Sequence, residues 1–141
     1  MTEKLSTEIV NGAIEYALTV TKIHYDNKPM SIAICDAQGF LLAFIRKEHV
    51  KLLTIELTQH KAYTSARMGC TTRDFLHRLQ KENLEINFFA DKKFTALPGG
   101  IPLINKHNQC IGAVAVGGIS SEGDHQVAEM VATHILNSIK E

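Results

Sequence analysis

Leu57, Lys61, Thr64 and Met68 recur at spacings of four, three and four residues, so on a helix they form one stripe. Two of the four are polar. A lysine in such a stripe would pair with a carboxylate ligand, and a threonine would donate a hydrogen bond, if the stripe lines a pocket. The structural alternative has Lys61 extending along its aliphatic stem to solvent and Thr64 bonding a backbone carbonyl. A second candidate, Leu97-Pro98-Gly99-Gly100-Ile101-Pro102, combines a fixed φ with two glycines that admit close ligand approach, or simply make a tight turn. A third, Gly117-Gly118-Ile119-Ser120-Ser121-Glu122-Gly123-Asp124, runs from a strand into a helix. Free N–H groups at a helix start attract anions. Glu122 and Asp124 would repel a phosphate there, and the segment reads instead as a capping box with Ser121 as the cap.

Other catalytic signatures are missing. There is no G-x-S-x-G, P-loop, G-x-G-x-x-G, H-E-x-x-H or H-x-H pattern. The three cysteines, Cys35, Cys70 and Cys110, are odd in number and lack C-x-x-C spacing, which argues against a disulfide framework or a zinc ribbon. Haem needs only one or two protein ligands, so any of the 7 histidines could serve, and the residues alone do not choose among them.

The elements that position these groups follow from periodicity. Leu5, Ile9, Val10, Ala13, Ile14, Ala17 and Leu18 predict a helix from a Ser6 or Thr7 cap to about His24, broken by Asp26-Asn27-Lys28-Pro29. Alternation from Met30 to Cys35, the turn Asp36-Ala37-Gln38-Gly39 and the run Phe40–Arg46 predict a β-hairpin. Helices follow over about Leu52–Met68 and Arg73–Lys81. The stretch from Asn83 to Gly100 has weak periodicity. A second hairpin pairs Ile101–Asn105 with Cys110–Gly117, and Pro102 suits an edge strand. A last helix starts near Ser121, with Val127, Met130, Val131, His134, Ile135 and Ile139 as its buried stripe. Hairpins impose antiparallel pairing, so the expected fold is α+β: an antiparallel sheet built from hairpins, with helices packed on it.

The bulk properties suit one domain spanning 1–141. The 141 residues are 45% hydrophobic and 21% charged, the composition of a globular domain. Lys plus Arg and Asp plus Glu are each 15, so no basic excess exists to neutralise phosphates, and no nucleic-acid partner is expected. Zero net charge permits self-association. No apolar run is long enough to span a bilayer, and the start, Met1-Thr2-Glu3-Lys4-Leu5, has no signal core. A cytoplasmic location is the expectation, with no membrane partner.

Five stretches, taken in order and spacing, resemble the GlcG/HbpS family, which is similar to the C-terminal domain of PduO-type corrinoid adenosyltransferases. They are Ser31-Ile-Ala-Ile-Cys-Asp-Ala-Gln-Gly39, Lys61-Ala-Tyr-Thr-Ser-Ala66, Leu97-Pro-Gly-Gly-Ile-Pro102, Ile111-Gly-Ala-Val-Ala-Val-Gly-Gly118 and Glu122-Gly-Asp124. The resemblance covers about Met30 to Ile139. It implies a profilin-like fold, homo-oligomers of at least two subunits and, in some members, haem binding with slow haem degradation. Other members sit beside glycolate or diol/glycerol metabolism. The family's K-A-x-T segment falls on Lys61, Ala62 and Thr64, its P-G-G segment on Pro98, Gly99 and Gly100, and its acidic pair on Glu122 and Asp124. This chain has Val-Gly-Gly-Ile-Ser where the family more often has Val-Ser-Gly-Gly.

The resulting expectation is a small-molecule-binding accessory protein for haem, a related tetrapyrrole or corrinoid, or another carboxylated metabolite. Its ligand-binding residues would be Lys61, Thr64, Phe94, Pro98, Gly99, Gly100, Glu122 and Asp124. Lys61 would face an acid group and Phe94 would supply apolar contact. The alternatives are a haem-degrading or metabolite-transforming enzyme, and an oligomeric interaction protein without a ligand.

Overall fold

The structure, a computed structural model, describes residues 4–139. Helix α1 spans Thr7–His24 and is capped by Ser6, whose hydroxyl accepts the Ile9 N–H at 3.1 Å. Strands β1 (Ser31–Asp36) and β2 (Leu41–Arg46) form the first hairpin. Its turn is closed by Asp36, whose carboxylate accepts the N–H groups of Gln38 and Phe40, both at 2.9 Å. Gly39 takes φ 92° there, as the turn requires. Helices α2 (Thr54–Met68) and α3 (Thr72–Glu82) follow, then one short 3-10 turn over Ile86–Phe89 in the stretch of weak periodicity. The second hairpin is β3 (Gly100–Ile104) and β4 (Cys110–Gly117), and its turn is closed in the same way by Asn105. Helix α4 spans Ser121–Ser138.

The two hairpins join through β1 and β4 into one antiparallel sheet of order β2-β1-β4-β3. This is the expected α+β architecture. Pro102 lies on the edge strand β3, where its missing N–H costs no ladder bond to a further strand.

The two faces of this sheet differ in side-chain size because the alternation in β1 and β4 is in register. Ile32 lies opposite Val116 and Ile34 opposite Val114, and all four turn toward α1 and α4, forming the main core with Val127, Val131 and Ile135. Ala33 lies opposite Ala115 and Cys35 opposite Ala113, and these turn toward α2, where Ala62 and Ala66 meet them. Burial pushes the Cys35 thiol up to about 12. A face of small side chains lets α2 approach the sheet closely. A Cβ on Gly100 would lie 2.5 Å from the Lys61 carbonyl oxygen.

Two expectations about α4 need correction. The cap is Ser120, one residue earlier than expected: its hydroxyl accepts the Gly123 N–H at 2.9 Å. Met130 and His134 stand on the shoulder of the buried stripe, which runs through Val127, Ala128, Val131, Ala132 and Ile135. His134 stacks on Tyr16 of α1 with ring centroids 4.2 Å apart.

Candidate functional site

The buried face of α2 is polar: Thr54, Thr58, Lys61, Thr64 and Ser65 are all buried. Its centre is Lys61, only 2% exposed. The ammonium donates to the Val116 carbonyl at 3.0 Å and to Asp124 Oδ2 at 3.3 Å. Asp124 comes from the first turn of α4, and its Oδ1 accepts the Ile119 N–H at 2.8 Å. The carboxylate therefore fixes the loop entering α4 while holding the lysine.

Glycine makes room for this pair. Gly99 has φ 132°, and a Cβ there would lie 2.4 Å from the Val116 oxygen and 2.9 Å from Lys61 Nζ. A Cβ on Gly117 would lie 2.3 Å from Thr58 Oγ1. That buried hydroxyl has no hydrogen-bond partner among the described residues. Burial lowers the Lys61 pKa, with Asp124 opposing. Burial also raises the Asp124 pKa, with Lys61 opposing. Both shifts run toward a neutral amine beside a neutral acid, because desolvation penalises each charge more than the partner compensates.

A cavity of about 180 Å³ opens beside the pair. Lys61 and Asp124 line it together with Lys51, Thr54, Ser120 and Ser121, and Leu53, Leu57 and Leu97 supply its apolar wall. Leu53 and Leu97 are 63% and 47% exposed.

Of the residues expected at the site, Lys61, Gly99 and Asp124 come together here. Pro98 and Gly100 are buried next to them, and the Gly100 N–H donates to Thr72 Oγ1 at 3.0 Å. Thr64, Phe94 and Glu122 stand apart. Thr64 donates to the His60 carbonyl and accepts the Thr95 N–H at 3.0 Å, which ties down the segment leading to the glycine loop. Phe94 packs among Tyr63, Phe75 and Phe89. Glu122 is exposed and accepts from Gln126. Leu57 and Leu97 belong to the candidate segments, whereas Thr58, Lys51 and Leu53 were not anticipated. The signal for Thr58 was present, since Thr54, Thr58, Lys61 and Ser65 repeat at four, three and four, one step around the helix from the stripe chosen.

A second cleft of about 210 Å³ lies between α2 and the first hairpin. It is lined by Cys35, Gly39, Phe40, Leu41, Gln59, His60, Tyr63, Arg67 and Lys93. The Arg67 guanidinium lies 4.7 Å and the Lys93 ammonium 5.4 Å from the centroid of the Tyr63 ring. A histidine, two cations and exposed aromatic surface thus share one opening. Clefts that enclose a drug-sized ligand run to ~300–1,000 Å³, so either opening would hold a tetrapyrrole only in part. The donor set of this second cleft fits haem at an exposed seat: an imidazole for the iron and two cations for its carboxylates.

The fold and these two openings define a small α+β protein with two clefts on the α2 side of its sheet. The sequence model of the family described as haem degrading protein HbpS-like matches residues 2–133, and the chain belongs to that family. Its fold is shared by a PduOC:haem complex, with TM-score 0.83, 21% identity, and coverage of 94% of this chain and 95% of that one. It is also shared by ORFY of Klebsiella pneumoniae (TM-score 0.86, 17% identity, 99% and 95% covered) and by a double mutant of Streptomyces reticuli HbpS (TM-score 0.81, 20% identity, 100% and 90% covered). No curated protein sequence matches the chain.

Proposed function

We propose that this protein is a haem- or tetrapyrrole-binding accessory protein that seats its ligand over the cleft between α2 and the first hairpin. The observation that carries this reading is the placement of His60, Arg67 and Lys93 around one opening with Phe40 and Tyr63. Membership of the HbpS-like family supports it. When bound, haem supplies an iron centre open to ligation and redox change. The chain's own part would be to hold the macrocycle: Arg67 and Lys93 would pair its carboxylates, and Phe40, 65% exposed, would offer it apolar contact. A partly exposed seat suits transfer or storage, and a setting such as glycolate or diol/glycerol use is part of the proposal.

Self-association belongs to the same reading. Strand β2 is an edge strand that exposes Leu41, Leu42 and Ile45, an apolar surface of the kind that proteins cover.

Hemin titration tests the ligand. The expected result is a saturable Soret shift that His60→Ala alters and that His24→Ala and His107→Ala leave intact. A shift indifferent to His60→Ala and to Arg67→Ala would overturn this seat. Formation of a degradation product in the presence of a reductant would favour the haem-degrading reading instead.

A further inference from the structure

We infer that Lys61 is an amine nucleophile that forms an imine with a short carbonyl compound bearing a carboxylate, with Asp124 as its proton donor. This inference concerns the cavity beside Lys61 and does not rest on haem binding in the other cleft.

A lysine–aspartate contact could merely tie α4 to the sheet. Three features go beyond a tie. First, the pair, though buried, borders an opening: both residues line a cavity whose size admits a substrate of only a few carbon atoms. Second, the position of Nζ depends on a residue with no side chain, since a Cβ on Gly99 would come within 2.9 Å of it. Third, the cavity is divided chemically. Leu53, Leu57 and Leu97 form an apolar wall, whereas Lys51, Ser120 and Ser121 offer a cation and two hydroxyls that suit a substrate carboxylate.

The chemistry balances with the groups present. The neutral Lys61 amine adds to the carbonyl carbon, and one of its protons passes to the former carbonyl oxygen to give a carbinolamine. The Asp124 carboxylic acid then protonates that hydroxyl, the C–O bond breaks and water leaves. The nitrogen lone pair closes the C=N bond. The products are a protonated imine on Lys61, one water and an Asp124 carboxylate, which remains beside the new cation as its counterion. Burial acts in the direction of these reactive forms, because it lowers the basicity of Lys61 and raises that of Asp124. Burial distinguishes Lys61 from the exposed lysines of the chain.

Borohydride trapping tests this directly. The full chain is incubated with pyruvate and reduced with sodium borohydride at pH 7, then examined by intact mass and peptide mapping. The expected result is close to one reduced adduct per chain, located on Lys61. An absent adduct, or one spread over surface lysines to the same extent as on Lys61, overturns the inference. The mapping needs no variant, so it stands even if Lys61→Met fails to fold. Asp124→Asn, checked for folding by circular dichroism, should slow trapping at least tenfold, and an unchanged rate would remove Asp124 from the role given to it. Hemin titration of the same preparation reads the other cleft, so failure here and failure of the haem reading are distinguishable.

Discussion

Asp124 holds Lys61 with one carboxylate oxygen, at 3.3 Å, and the backbone entering its own helix with the other, at 2.8 Å. The two residues are 63 positions apart in the chain, and the contact joins α2 on one side of the sheet to α4 on the other. Breaking it from the lysine side leaves an acid buried without its partner. Lys61→Met should therefore lower stability by about 3 kcal/mol, measured by urea unfolding at pH 7. Adding Asp124→Asn removes the unpartnered carboxyl and should recover at least half of that loss. The deficit of the single variant should also shrink in acid. A carboxyl whose folded pKa is raised favours folding below its unfolded value and loses that contribution as pH rises through the folded one.

Gly99 and Gly12 make opposite predictions for the same substitution. Gly99 has φ 132° and no space for a Cβ, so Gly99→Ala should cost about 1–3 kcal/mol from backbone strain alone, before the clash with the Val116 carbonyl is counted. Gly12 lies exposed in the middle of α1 with nothing within 4 Å of a Cβ. Gly12→Ala should raise stability by about 0.5–1 kcal/mol. Thermal melts of both variants beside the parent check the pair.

His125 sets an acid limit on stability. The side chain is buried, and neither ring nitrogen makes a hydrogen bond to the described residues. The Glu129 carboxylate stands 3.5 Å from Nε2, close enough for an ion pair once the ring is charged but not bonded to it now. Burial lowers the pKa below the ordinary 6.5, Arg73 of α3 adds to this, and Glu129 and Asp74 oppose it. Between the folded value and 6.5 the unfolded chain binds more protons than the folded one. Stability should therefore fall as pH drops from 6.5 through the folded pKa. His125→Leu should flatten that slope and raise stability at pH 7 by about 1 kcal/mol, by removing two unsatisfied polar atoms. A slope that persists in His125→Leu would place the acid sensitivity elsewhere.

Oligomerisation can be read from mass in solution. Light scattering should give a multiple of the 15.6 kDa chain. Leu42 is the residue at the β1–β2 irregularity and is 45% exposed on the outer edge. Leu42→Lys should shift the distribution toward the single chain without changing the circular dichroism.

The fold was largely legible because its periodicities are clean. The alternation around Ile32 and Ile34 marked a strand, Asp36 to Gly39 marked its turn, and Pro102 marked an edge. The site was legible in part. The structure brings Lys61 and Gly99 together as the two segments suggested, but helical spacing fits two neighbouring stripes equally well. Thr58 and Ser65 lay on the one that was passed over. Thr64 and Phe94 illustrate a different limit. Both are ordered by contacts across long sequence separations, to Thr95 and to Phe75, and no local pattern reports such partners. His125 was missed although it precedes Ala128 by three and Ala132 by seven, in step with the buried stripe, because a histidine breaks the apolar reading of that stripe.

The unequal faces of the sheet also set where this sequence is free to change. On the α1 and α4 side, large aliphatic side chains interdigitate, and one can shrink while a neighbour grows. Beneath α2, the alanines and glycines are already at the lower limit of size, and the helix backbone rests almost on the strands. No compensating exchange is open to them there. Substitutions should therefore accumulate on one side of a single sheet and be refused on the other, and the refused side is the one that carries both clefts.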